Sequence, residues 1–187
     1  MDSSGHEYGY YGGFQNTVNR TRKLAYTSVT IALALVLSYV ESLIPSLVAV
    51  PGVKVGLANI AVVFALYRIG LKEAAVISLM RVLLASLLFG SAVSLAYSFA
   101  GATVSLALMA VLKKTKIFSV AGVSTAGAVS HNLAQTAVAC ILLETTSLAW
   151  WIPVLLVSGT LAGVVIGFVS AAVLKRIPEV DTNAQGN

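Results

Sequence analysis

Residues 151–174 read WIPVLLVSGTLAGVVIGFVSAAVL, a stretch without a single charged side chain. A helix needs about 20 mostly apolar residues to cross the hydrocarbon core of a bilayer, so this stretch is long enough to span it. Further apolar stretches of comparable character precede it, at residues 24–43, 55–70, 72–90, 92–112 and 119–143. The sequence therefore predicts an all-α integral membrane protein built as a six-helix transmembrane bundle.

The composition supports this class. The chain has 58% hydrophobic residues, 10% charged residues and a mean hydropathy of +0.90, whereas soluble domains carry roughly 25% charged residues. The formal net charge of +5 does not indicate nucleic-acid binding, because the basic residues cluster at the ends of the apolar stretches, which is the pattern that orients membrane proteins. The single cysteine, Cys140, rules out a disulfide framework within one chain.

The chain divides into a bundle and two polar ends. Residues 1–23 are rich in Gly and Tyr and lack the apolar core of a secretory signal, so we expect a flexible cytoplasmic tail there. Residues 24–177 form the predicted membrane domain, and residues 178–187 form a second cytoplasmic tail. Pro, Gly and Ser interrupt the apolar pattern between Pro45 and Pro51, where a re-entrant element is an alternative.

Basic residues predict the orientation of the bundle, because cytoplasmic loops carry an excess of Lys and Arg. Every second connection is basic, which predicts a multi-pass protein of the plasma membrane with both termini in the cytoplasm. Lys54 is the exception, since it falls on the outer side, and ligand contact is one explanation for it. The basic residues on the predicted cytoplasmic side are Arg20, Arg22, Lys23, Arg68, Lys72, Lys113, Lys114, Lys116, Lys175 and Arg176.

Two cations are candidates for ligand contact. Lys54 lies in the loop from Pro51 to Asn59, whose two glycines permit close approach of a ligand. The alternative is a helix-starting loop whose lysine extends to the membrane interface. Arg81 follows Lys72 by nine residues, so it lies about 13 Å into the membrane. A guanidinium at that depth needs a partner, which is either Glu41 or an anionic group on a substrate.

The fifth apolar stretch contains three polar side chains close together. His131 and Gln135 are four residues apart and share one helical face, and Asn132 borders that face. Buried imidazole and amide groups need hydrogen-bond partners, supplied either by other helices or by a ligand. A proton relay through His131 is a further alternative. A lone histidine falls short of the usual metal ligand sets, so no metal site is predicted.

Small residues four apart let helices approach closely in lipid. Gly159, Gly163 and Gly167 form such a stripe in the last apolar stretch, where internal packing is the expected role. The first stretch carries Ser28 with Ala32, and Thr30 with Ala34. Both pairs are candidates for internal packing or for docking of another membrane protein.

Three segments in order carry a resemblance to a known family: Pro51 to Ile60, Arg81 to Gly90, and Gly127 to Gln135. They resemble the Gx transporter family, often labelled heptaprenyl diphosphate synthase component I, over about residues 22–175. That family is similar to the substrate-binding S components of energy-coupling factor (ECF) transporters. S components are six-helix membrane proteins that capture a vitamin-like molecule from outside.

The resemblance implies partners and a ligand site. The partners are a transmembrane coupling subunit and two cytoplasmic ATPases, and docking of the coupling subunit falls to the small residues of the first helix: Ser28, Ala32, Thr30 and Ala34. The ligand would lie in the outer half of the bundle. The substrate-binding residues expected from this placement are Lys54, Asn59, Arg81, His131, Asn132 and Gln135.

Two absences in the sequence bear on catalysis. The Gly-x-x-x-x-Gly-Lys-Ser/Thr pattern of ATP-binding loops does not occur. Prenyl diphosphate synthesis uses carboxylates to hold Mg²⁺ on substrate phosphates, yet the only aspartates, Asp2 and Asp181, lie in the polar ends. We therefore expect neither an enzyme nor a cofactor.

The sequence-based hypothesis is an ECF-type substrate-binding component for a small polar or anionic vitamin-like, cofactor-like or isoprenoid-precursor molecule. The first alternative is a non-catalytic membrane accessory subunit or scaffold for prenyl diphosphate or quinone synthesis. The second is a proton-coupled carrier acting alone, whose transport would be lost on His131→Ala.

Overall fold

A computed structural model describes the chain over residues 4–43 and 56–177, with side chains from residue 17 onward. Six α-helices and one short 3-10 helix make up these ranges. The α-helices are α1 (Ser4–Leu43), α2 (Asn59–Arg68), α3 (Leu71–Phe89), α4 (Ala92–Thr115), α5 (Val120–Leu142) and α6 (Ile152–Arg176). The 3-10 helix, Ser147–Trp151, leads directly into α6.

The all-helical class is confirmed, and each predicted stretch contains one helix. Three helical segments within the described ranges are long and apolar enough to cross a membrane: Thr17–Leu43, Ala92–Thr115 and Ser147–Arg176. The prediction of a spanning helix over 55–70 is wrong in its extent. Helix α2 has ten residues, which give a length of about 15 Å, half of a hydrocarbon core about 30 Å thick.

The predicted bundle start at residue 24 falls inside a longer helix. Helix α1 begins at Ser4, so residues 4–23 have helical backbone where the sequence predicts a flexible tail. Adding residues to an existing helix costs far less than nucleating a new one, so the apolar part of α1 supports its extension towards the N-terminus. The division of the chain into functional parts at residue 23 stays a prediction.

The helices pack as a ring closed by the short helix. Helix α5 lies between α4 and α6, and α4 packs on α3. Helix α2 contacts both α3 and α6, and α1 packs against α2 and α3. Five of the ten residues of α2 are buried. The largest fully buried side chains come from α2, α3, α4, α5 and α6 and include Leu66, Ile77, Met109 and Val123. Helix α2 is therefore the centre of the core despite its length.

Basic side chains gather at one end of the bundle, where α2, α4 and α6 finish and α3 begins. Lys23 Nζ lies 2.7 Å from Glu73 Oε1, which joins α1 to α3. Lys113 Nζ donates to the Leu66 carbonyl at 2.5 Å and lies 5.1 Å from the centre of the Tyr67 ring. We call this the basic end. Lys113 thus binds at the C-terminus of α2, where the carbonyls have no partner in their own helix.

The glycine stripe of α6 packs against α5, as expected for internal packing. A Cβ added at Gly163 would lie 2.6 Å from the Thr125 Cα, and one at Gly167 would lie closer still to the Ala121 Cα. Real Cβ atoms essentially never approach backbone so closely. The two helices therefore touch through their backbones along this stripe.

We expect Gly167→Ala to destabilise the bundle, because the new methyl group forces α5 and α6 apart. Overpacking of this kind costs about 1–3 kcal/mol. Gly122→Ala is the matched control, since its Cβ would meet its nearest atoms at 3.6 Å, an ordinary contact. Thermal unfolding in detergent checks this, and equal melting temperatures for the two variants would contradict the close contact.

Candidate functional site

The start of α2 lies inside the bundle. Gly56 has a φ of +76° and turns the chain into the helix, and the Asn59 N–H donates to the Gly56 carbonyl at 2.8 Å. A Cβ on Gly56 would lie 3.1 Å from Ile166 Cδ1. Ile166 precedes the last residue of α6, Arg176, by ten positions, which is about 15 Å along the helix. Non-helical backbone thus enters to about mid-depth of the bundle.

Two charged side chains, those of Glu41 and Arg81, lie near the start of α2. A carboxylate oxygen of Glu41, near the end of α1, accepts a hydrogen bond from the Gly56 N–H. The Glu41 carboxylate also interacts electrostatically with the Arg81 guanidinium of α3. Glu41 therefore links α1, the entry to α2 and α3. The sequence left the partner of Arg81 open between Glu41 and a substrate anion, and a direct Glu41–Arg81 ion pair stays a prediction. The bond from Gly56 to Glu41 is an addition that the sequence did not indicate.

The beginning of α2 has no side chain bonded to it as a cap. The N-cap position is Ala58, which offers no hydrogen-bonding side chain. The first amide groups of a helix have no partner within the helix and carry partial positive charge, so they attract anions. Asn59, one of the predicted ligand residues, is the first residue of α2 and is half-buried. Lys54, the predicted cation above this point, lies outside the described residues.

The polar side chains of α5 contact neighbouring helices. Asn132 Nδ2 donates to the Leu155 carbonyl of α6 at 2.9 Å. The His131 ring lies over Gly101 of α4, where an added Cβ would be 3.0 Å from its Cε1. Gln135 is half-buried. The amide nitrogen of Asn132 thus has another helix as its partner, and contact of these three side chains with a ligand stays a prediction.

The two small-residue pairs of α1 have different environments. Thr30 and Ala34 are buried in the bundle, with exposed fractions of 5% and 0%, and the Thr30 hydroxyl donates to the Tyr26 carbonyl. Ser28 and Ala32 are exposed. Since a docking residue must be accessible, only the Ser28 and Ala32 pair offers a face to another protein in this structure.

Sequence reasoning did not predict that two cations at the basic end bind carbonyl groups of neighbouring helices. Arg68 donates to the Leu174 carbonyl of α6, and Lys113 binds the Leu66 carbonyl of α2. Both were assigned only to the orientation signal. Their position in the last turn of a helix was the available clue, because cations there interact favourably with terminal carbonyls.

Comparison with known proteins gives a family. A family model described as heptaprenyl diphosphate synthase component I matches residues 30–173. The chain belongs to this family. The match runs from the middle of α1 almost to the end of α6 and contains every predicted substrate-binding residue. No curated protein and no solved structure gives a significant match.

We expect Glu41 and Arg81 to be energetically coupled. Glu41→Gln keeps an oxygen that can accept from Gly56 but removes the countercharge of a partly buried guanidinium, and Arg81→Met removes the cation. The loss of unfolding free energy in the double variant should be smaller than the sum of the losses in the two single variants. The difference, which is the coupling energy, should be about 0.5–3 kcal/mol. Thermal unfolding of the four proteins measures it, and additive losses would show that the charges act independently.

Proposed function

We propose that this chain is a membrane-embedded substrate-binding component of an ECF-type uptake transporter. It would capture a small polar or anionic molecule from outside the cell. The supporting observation is the start of α2 at about mid-depth, with Glu41 and Arg81 beside it. Broken helices that expose an N-terminus at the membrane midplane are a recurrent way for transporters to bind anionic substrate groups.

The chemistry of this place suits an anion. The positive end of the α2 dipole, which has no acidic side chain as a cap, and the Arg81 guanidinium both attract negative charge. Glu41 acts electrostatically on the guanidinium, so a carboxylate or phosphate group of a substrate would compete with Glu41 for it. Gly56 permits close backbone approach, and Lys54 would contribute a second cation from above. Asn59, His131, Asn132 and Gln135 complete the proposed lining.

The two ends of the bundle support the proposed orientation. The basic end would face the cytoplasm by the positive-inside rule, with both termini on that side. The opposite end carries Trp150, which is 86% exposed, and Trp151. Tryptophan is enriched at membrane–water interfaces, so this pair would mark the outer surface, and the proposed site would open towards it.

Energy for transport would come from other proteins. The sequence has no ATP-binding loop pattern, so a coupling subunit and two ATPases would supply hydrolysis. The exposed pair Ser28 and Ala32 is the proposed contact with the coupling subunit, because small residues allow helices to touch. Val29 and Val36 lie nearby on the exposed surface of α1.

A second candidate function rests on the family description. A protein described as component I of a heptaprenyl diphosphate synthase implies a component II, and this chain would then be its membrane accessory subunit. The absence of aspartates between Asp2 and Asp181 argues for a non-catalytic role in such a pair. The same anion-attracting place would hold the diphosphate group of a prenyl diphosphate.

Purification from native membranes separates the two functions. We expect a membrane coupling subunit and two ATPases to co-purify with the chain in mild detergent, as identified by mass spectrometry. Ser28→Leu with Ala32→Leu should abolish their recovery, because the larger side chains block close helix contact. Val29→Leu with Val40→Leu is the matched control, because both residues are exposed on α1 but lie off the Ser28 and Ala32 stripe, and it should retain them. Recovery of a soluble prenyltransferase without ATPases would favour the accessory subunit.

Cysteine labelling tests the orientation. Two single-cysteine variants are made in a Cys140→Ser background. Ser91→Cys places the cysteine between α3 and α4, and Lys116→Cys places it between α4 and α5. We expect a membrane-impermeant maleimide to label Ser91→Cys in intact cells and to label Lys116→Cys only after the membrane is opened. The reverse pattern would overturn the proposed topology.

A further inference from the structure

An apolar groove lies between α3 and α4. Its volume is about 350 Å³. Leu71, Ala75 and Leu79 line it from α3, and Phe99, Thr103 and Ala107 line it from α4. All six of these residues are exposed or partly exposed at the surface of the bundle. The groove therefore opens sideways, towards the hydrocarbon of the membrane.

Two lysines continue the groove at the basic end. Lys72 precedes Ala75 by three residues and Leu79 by seven, so it lies on the same face of α3. Lys114 follows Ala107 by seven residues and lies on the groove face of α4. Both side chains are exposed. Within residues 17–43 and 56–177, neither lysine forms an ion pair.

This arrangement is amphipathic in the same sense as a membrane lipid. It combines a long apolar channel in the hydrocarbon region with two uncompensated cations where that channel reaches the interface. From Leu71 to Val82 the groove follows α3 for about 16 Å. Basic pockets between helices at the cytoplasmic side of membrane proteins bind the head groups of anionic lipids.

We propose that this groove, bounded by Lys72 and Lys114, is a binding site for one anionic phospholipid. One acyl chain lies along α3 and α4, and the phosphate group contacts the two lysines. A transmembrane helix of a partner fits less well, because an apolar helix gives the two ammonium groups no countercharge. None of the residues that line the groove belongs to the proposed substrate-binding set, so the lipid proposal does not depend on that site.

Native mass spectrometry of the full-length chain in detergent tests the site. The probes are phosphatidylglycerol and phosphatidylcholine with identical acyl chains. We expect the wild-type protein to retain phosphatidylglycerol about 30-fold better, which is what two lysines near an anionic head group provide. Lys72→Gln with Lys114→Gln should remove this preference, and Lys72→Arg with Lys114→Arg should keep it. Lys175→Gln is the control at the same end of the bundle.

A second pair of variants tests the part of the groove that would hold the acyl chain of the lipid. Ala107→Phe fills the groove and should lower retention of both lipids, whereas Leu108→Phe lies at the next position, also exposed, and should not. Equal retention of both lipids by the wild type, or an unchanged preference in the lysine-to-glutamine variant, would overturn the proposal. Displacement of phosphatidylglycerol by equimolar farnesyl diphosphate would also overturn it, because the occupant would then be a prenyl diphosphate.

Discussion

The two ends of α2 pose the central physical problem of this fold. A ten-residue helix inside an apolar bundle leaves amide groups at one end and carbonyl groups at the other without partners, and such groups are costly where no water reaches. Charged side chains from other helices meet both needs. Glu41 of α1 accepts from Gly56 just before the helix, and Lys113 of α4 donates to Leu66 in its last turn. The short helix is thus fixed by residues far from it in sequence.

The opposite side of the ring depends on close backbone contact. Lipid is as apolar as leucine, so helices gain little from burying large side chains against each other and gain more from fitting tightly. Gly163 and Gly167 give α6 that fit on α5. Ser124 and Ser170 are fully buried, and their hydroxyl groups have no hydrogen-bond partner among the described residues. At these positions serine contributes its small size, at the cost of an unsatisfied hydroxyl.

The sequence predicted the helices well because apolar length and basic ends are local signals. Four of the predicted stretches begin and end within a few residues of α3, α4, α5 and α6, and a fifth shares its end with α1 but not its beginning. The stretch 55–70 was misjudged because Val, Gly, Leu and Ala around Gly56 read as apolar helix, whereas the positive φ of Gly56 and its bond to Glu41 depend on tertiary contacts. For the same reason, sequence spacing gave no indication that Asn132 binds the Leu155 carbonyl.

The basic residues carry two kinds of information that the sequence does not separate. Lys23, Arg68 and Lys113 turn inward to a carboxylate or to helix carbonyls, whereas Lys72, Lys114 and Lys175 stay exposed. Inward cations hold helices together, and their charges are largely compensated by the groups they bind. The charges of the exposed cations are not compensated by protein groups, so they can interact with the membrane surface. If orientation depends on uncompensated charge near the interface, the exposed set contributes most to it, and the inward set is better understood as part of the bundle's packing.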